Sequence, residues 1–163
     1  MKNFFVSLAL LFIAGVANAQ LKATVVCPTF EVNLLEGNVS GLGPDFTQGQ
    51  IMKKLPCYSS MLPDGDSSKC GGIIFYKDQD VTFYTGRDYV EVGEKFKGKL
   101  SLPIMGTSRS SLFGILGNPK IKDINWDAFQ TQYGIMVIRY NKDNKVNMIQ
   151  FSTKKAETLQ LCE

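Results

Sequence analysis

A short helix-and-hairpin signal, written twice, constrains this chain more than any other feature. Ser110 to Pro119 reads S-S-L-F-G-I-L-G-N-P, and Gly49 to Pro56 reads G-Q-I-M-K-K-L-P. Phe46-Thr47-Gln48-Gly49-Gln50-Ile51 opens the first predicted helix, with Thr47 as N-cap, Gln50 as its capping-box partner and Phe46 stapled against Ile51. At 108 − 47 = 61 positions on, Ser108 stands for Thr47, Ser111 for Gln50 and Leu112 for Ile51. Ile51, Met52 and Leu55 match Leu112, Phe113 and Leu116, an i, i+1, i+4 apolar stripe on a short helix. The first helix stops at Leu55-Pro56 and the second at Leu116-Gly117-Asn118-Pro119, where Gly117 suits the left-handed position after a helix.

Each helix is followed, after an irregular connection, by a predicted hairpin. The first runs Gly71 to Tyr76, turns at Lys77-Asp78-Gln79-Asp80 and returns from Val81 to Thr85. The second runs Gly134 to Tyr140, turns from Asn141 to Lys145 and returns from Val146 to Ser152. Asp, Asn and Lys favour the reversals, and β-branched and aromatic residues fill the flanks. Further strands are expected at Thr24 to Cys27, Phe30 to Leu34, Tyr89 to Glu91 and Ala128 to Tyr133. The fold class expected is α+β: two similar units, each a short helical segment packed on an antiparallel β-sheet, joined into one domain. The first unit spans 20–98 with its N-terminal strands, and the second spans 99–163.

Met105-Gly106-Thr107-Ser108, the helix, Leu116-Gly117-Asn118-Pro119, Trp126, Tyr133 and the hairpin Ile135 to Phe151 resemble the repeat of the β-lactamase inhibitory protein fold. The small lipoprotein of the outer-membrane barrel assembly machine shows a similar pattern. The resemblance implies a short helical pair on an antiparallel sheet, twice, with the sheets side by side. It covers the second half well and the first half poorly, since the first lacks Gly-x-Pro, and the lipoprotein's acylated cysteine is missing. In the inhibitor family, sheet surfaces and a projecting hairpin loop engage an enzyme. No inhibitory residue carries over, and these motif residues are turn and core formers, so the resemblance speaks to fold rather than function.

The first residues predict export. Lys2 supplies a positive start, Phe4 to Val16 an apolar run, and Ala17-Asn18-Ala19 a small-x-small cleavage site, so 1–19 reads as a signal peptide. At about 13 residues the run is shorter than the roughly 20 a membrane-spanning helix needs. A periplasmic or secreted location is therefore expected, with no membrane span. Loss of Lys2 takes the formal charge from +3 to +2, and the lysines are interspersed with acids, which argues against a nucleic-acid partner.

Cys27, Cys57, Cys70 and Cys162 all follow the leader, and an oxidising compartment favours disulfides between them. Three pairings exist. The favoured one joins Cys57 to Cys70 across a Pro/Gly/Ser-rich loop and Cys27 to Cys162, first strand to last. Metal binding is disfavoured: there is no Cys-x-x-Cys and no histidine.

The absence of histidine also removes Ser-His-Asp and Cys-His catalysis. Ser59-Ser60 and Ser67-Ser68-Lys69 read as turn residues rather than Ser-Lys nucleophiles, and Asp78 with Asp80 as a hairpin turn. A calcium loop from Asp64 fails, with Lys69 at the sixth position and Phe75 at the twelfth. The chain is expected not to be an enzyme and to need no cofactor. On the strand Ile135 to Tyr140, one face carries Ile135, Val137 and Arg139 and the other Met136, Ile138 and Tyr140. Neither face is polar, so a face left open by the helices is an interaction surface in prospect. The candidate binding residues are Tyr84, Tyr89, Trp126, Phe129, Tyr133 and Arg139. The expected partner is another protein, with a small ligand (a glycan, cell-wall fragment or hydrophobic molecule) as the alternative.

Overall fold

The computed structural model describes residues 25–65 and 70–162. The predicted leader, Thr24 and Ser67-Ser68-Lys69 lie outside the described residues. Both predicted helices form where their caps place them. In α1 (Gln48–Lys54) the Thr47 hydroxyl accepts from the Gln50 amide at 3.4 Å, while Gln50 Oε1 accepts from the Thr47 amide at 2.9 Å, a complete capping box. In α2 (Arg109–Leu116) the Ser108 hydroxyl accepts from the Ser111 amide at 3.3 Å, but a serine at the answering position cannot complete the box. Gly117 closes α2 at φ +77°, a conformation that Cβ disfavours elsewhere. Ile51, Leu55 and Leu112 are buried, as the stripe requires.

Before α1 come β1 (Glu31–Asn33) and β2 (Asn38–Val39). Between the helices lie β3 (Ser60–Leu62), β4 (Ile73–Tyr76), β5 (Val81–Tyr84), β6 (Tyr89–Gly93) and β7 (Lys99–Leu100). After α2 come β8 (Ile121–Lys122), β9 (Trp126–Gln130), β10 (Ile135–Tyr140) and β11 (Val146–Ser152). The two predicted hairpins are β4–β5 and β10–β11, with Asp80 and Asn144 in the left-handed conformation that Asp and Asn tolerate in turns. Two strand expectations change. The segment at 25–27 is not a strand. The strand expected from Ala128 starts instead at Trp126 and ends at Gln130, because Thr131 and Gly134 close a turn through Thr131 N to Gly134 O at 3.0 Å and Gly134 N to Thr131 Oγ1 at 3.1 Å.

The strands form an eight-stranded antiparallel sheet in the order β3-β4-β5-β6-β11-β10-β9-β8, and a small sheet in the order β2-β1-β7. The large sheet is two four-strand runs meeting at β6 and β11, each run preceded by one α-helix. The chain is thus α+β and mostly antiparallel.

Register assigns the faces. Tyr76, Val81, Val92, Ile149 and Ile138 form one row across β4, β5, β6, β11 and β10, and Ile74, Phe83, Val90, Phe151, Met136 and Phe129 form a second. Both rows are buried in one apolar cluster with Phe30, Val32, Ile51 and Leu112, so the helices and the small sheet cover this inner face. Arg109 at the start of α2 fastens that layer. Its Nε and Nη2 donate at 2.9 and 2.5 Å to the fully buried Asp127 carboxylate, which also accepts from the Tyr140 hydroxyl at 2.7 Å.

The disulfides are Cys27–Cys57 and Cys70–Cys162, with Cα atoms 5.3 and 5.6 Å apart. This overturns the favoured pairing of Cys57 with Cys70 and Cys27 with Cys162. The 57–70 loop is not a free bow: Ser60 to Leu62 pairs with β4 as β3, carrying the chain along the sheet edge and separating the two cysteines. Cys57 stays near the core beside the segment before β1, and Cys70 reaches the opposite end, near the β5–β6 connection.

Candidate functional site

The other face of the large sheet follows from the same alternation. Phe75, Thr82, Glu91, Gln150, Val137, Ala128 and Ile121 lie in register across seven strands. Tyr84, Tyr89, Ser152 and Ile135 form a parallel row on one side, and Met148, Arg139 and Trp126 on the other. Both hairpin turns, 77–80 and 141–145, lie at the Trp126 end of these rows.

The outer face changes character from one half to the other. Over β5, β6 and β11 it is polar. Gln150 links the neighbours: its Oε1 accepts from Arg139 Nε at 3.2 Å and its Nε2 donates to Glu91 Oε2 at 2.8 Å. Partial burial raises the Glu91 carboxyl above the usual glutamate range, against the lowering by the Gln150 bond and by Arg139. Tyr84 stacks on Tyr89 with ring centroids 4.3 Å apart, and burial, then the Glu91 charge, raises its hydroxyl pKa. Tyr84, Glu91, Arg139, Met148, Gln150 and Cys162 line an open groove of about 500 Å³.

Over β8, β9 and β10 the middle of the same face is apolar, with Arg139 and Gln130 at its edges, and the segment that follows β11 covers that middle. Ala156, Leu159 and Leu161 pack on Ala128, Ile135 and Val137 with Trp126 at the rim, and a second groove of about 220 Å³ runs along that seam. The Tyr89 hydroxyl accepts from the Cys162 amide at 3.1 Å, which brings the end of this segment to the boundary between the halves.

Of the six candidate binding residues, this face holds four. Tyr84, Trp126 and Arg139 are partly exposed there, and Tyr89 shares their side but is fully buried beneath Tyr84 and Cys162. Phe129 and Tyr133 do not join them. Phe129 pairs with Met136, points to the helix side and is 3 % exposed. Tyr133 packs on the inner cluster, edge-on to Phe151, and its hydroxyl donates to Leu34 O at 3.1 Å; burial pushes its pKa up to about 12. Glu91, Met148 and Gln150 belong to the face and were missed by a search for aromatics. The alternation Tyr89-Val90-Glu91-Val92 was the signal for Glu91, since a strand side with Tyr89 also carries Glu91.

Among the described residues no group of three or more His, Cys, Asp or Glu is placed to hold a metal ion. Asp64 is engaged in the fold: its carboxylate accepts from Thr85 Oγ1 at 2.6 Å and its amide donates to Gln48 Oε1 at 3.2 Å. Asp80 Oδ2 accepts from the Lys95 amide at 2.8 Å, which ties the hairpin turn to the segment after β6. Among the described residues no helix is long and apolar enough to cross a membrane.

No protein-family model, curated protein or solved structure matches this chain.

Proposed function

We propose that this chain is an exported, non-catalytic binding module that engages another protein through the outer face of its sheet and the neighbouring hairpin tips. The observation that carries this reading is the polar half of that face. Tyr84, Glu91, Arg139 and Met148 are held by strands and partly open, around a buried Gln150 that bonds to Glu91 and Arg139, with aromatic, acidic, basic and thioether groups side by side. Aromatic and arginine side chains on a rigid support are favoured anchors of protein interfaces, because they bury much area and lose little freedom on binding. Two disulfides fit an oxidising compartment, and with the predicted leader they support export. Two four-strand runs meeting at β6 and β11, each after one helix, support a duplicated unit and the inhibitory-protein resemblance.

A small ligand in the same groove is the second reading, favoured by a volume of about 500 Å³, within the range of small-molecule sites. The two part experimentally. Immobilised protein is used to capture partners from periplasmic extract, with Tyr84→Ala and Trp126→Ala in parallel. Capture that is lost in either variant supports the protein-binding face. Capture unaffected by both sinks it.

A further inference from the structure

Residues 153–162 form a strap that pairs with no strand. None of them is buried, yet Ala128, Ile135 and Val137 beneath are only 1 to 3 % exposed. The strap is one chain thick and makes one turn at 155–159, where the Thr158 and Leu159 amides donate to Lys155 O at 3.0 Å. Its Lys120–Glu157 and Arg87–Gln160 contacts, at 2.7 and 2.6 Å, are exposed, and such contacts contribute little. Leu159 and Leu161 are only partly buried. Lys154 pairs with Asp88 at 2.6 Å, again between partly exposed side chains, and the Cys162 amide donates to the Tyr89 hydroxyl at 3.1 Å; the one covalent attachment is the bond from Cys162 to Cys70.

The Cys70 side of that bond is anchored independently. Gly71 and Gly86 meet backbone to backbone, so that a Cβ on Gly86 would lie 2.8 Å from Gly71 Cα. The Asp64 to Thr85 bond pins the same loop to the end of β5. Cleavage of the disulfide therefore leaves the strap on non-covalent contacts alone, while Gly71 and Asp64 keep their places against Gly86 and Thr85.

We propose that the strap is a disulfide-latched cover, and that the surface beneath it docks a short aliphatic segment of the partner protein, shaped as the strap is, once a dithiol reduces Cys70–Cys162. This rests on the protein-binding reading of the outer face. The strap itself identifies the occupant: a segment with a single helical turn at 155–159 seats Ala156, Leu159 and Leu161 against Ala128, Ile135 and Val137 without any ladder hydrogen bond. A partner segment with similar aliphatic side chains fits the same surface.

The exchange balances. A thiolate of the dithiol attacks one sulfur of the pair and releases the other as thiolate, giving a mixed disulfide; the second thiol then closes on its neighbour. The dithiol loses two electrons and becomes a cyclic disulfide, and its two protons end on Cys70 and Cys162. Both cysteines are partly exposed, which admits the reductant.

Trp126, the only tryptophan, sits at the strap's rim and reports its release. In full-length Cys70→Ser/Cys162→Ser, far-UV circular dichroism and a cooperative melt should persist. Trp126 emission should shift to the red, and acrylamide quenching should rise severalfold. A labelled peptide of sequence KAETLQL should bind this variant saturably and the latched protein not at all; the peptide with both leucines changed to serine should bind neither. As a second measurement, Cys27→Ser/Cys57→Ser keeps only the latch, and a dithiol should shift Trp126 reversibly there. Unchanged emission and quenching in both, or loss of the cooperative melt on opening the latch, overturns the proposal. A dimer of the opened variant that excludes the peptide also overturns it, by assigning the surface to a second copy. Failure of the latch leaves the outer-face reading standing, because the Tyr84→Ala capture is run with the strap closed.

Discussion

Arg109→Met should cost about 3 to 5 kcal/mol of stability, far more than an ion pair normally contributes, because of where its partner lies. Asp127 is fully buried and accepts three hydrogen bonds, two from Arg109 and one from Tyr140. Methionine restores much of the volume but leaves the carboxylate with one neutral donor in a site closed to water. The guanidinium also lies 4.9 Å from the Tyr140 ring centroid, a contact worth roughly 0.5 to 1 kcal/mol. Its bonds to the carbonyls of Asp123 and Ile124 add little, since both residues are exposed and water replaces them. The internal control is Lys99→Met: the Lys99–Glu31 pair, with side chains 75 % and 65 % exposed, should matter by no more than about 1 kcal/mol. Urea unfolding followed by circular dichroism, with the slopes compared to confirm a common transition, measures both. If Arg109→Met falls within about 1 kcal/mol of the parent, as the control should, the pair is not what fastens α2 to the sheet.

Thr47→Ala opens the capping box of α1 and should lower stability by about 1 kcal/mol in the same urea assay. Gly37→Ala should destabilise by about 1 to 3 kcal/mol, because Gly37 has φ +66° and a Cβ there would run into the Tyr133 ring; equal melts of variant and parent would refute this. Glu91→Gln should raise stability at pH 7. Because burial raises the folded carboxyl above its unfolded value, the native state holds the proton more tightly and its stability falls as pH rises through that window. The advantage of glutamine should therefore shrink as pH drops below the ordinary glutamate range, and a pH-independent difference would contradict it.

The caps at Thr47 and Ser108, the glycine stop at Gly117 and the turns at 77–80 and 141–145 were all legible, because each depends on residues within a few positions of one another. The alternation Ile135-Met136-Val137-Ile138 likewise separated the two faces of β10 before any neighbour was known. The side to which Phe129 points was not legible. It depends on Phe129 pairing with Met136, and a slip of one residue would have turned it outward. Tyr133 was counted in a strand because nothing local announced that Thr131 and Gly134 close a turn.

The sequence by itself determined the local pieces of this protein, two short helices and two hairpins with their ends, because capping, glycine and proline chemistry and side-chain alternation act over a few residues. It also determined that four cysteines and no histidine would be available. Only the tertiary structure decided the Cys27–Cys57 and Cys70–Cys162 partners, the burial of Asp127 against Arg109, and the covering of the apolar part of the outer face by residues 153–162. Each of those joins groups distant in sequence. Their meeting is set by strand order and register, which are cooperative properties of the whole sheet and are written in no single segment.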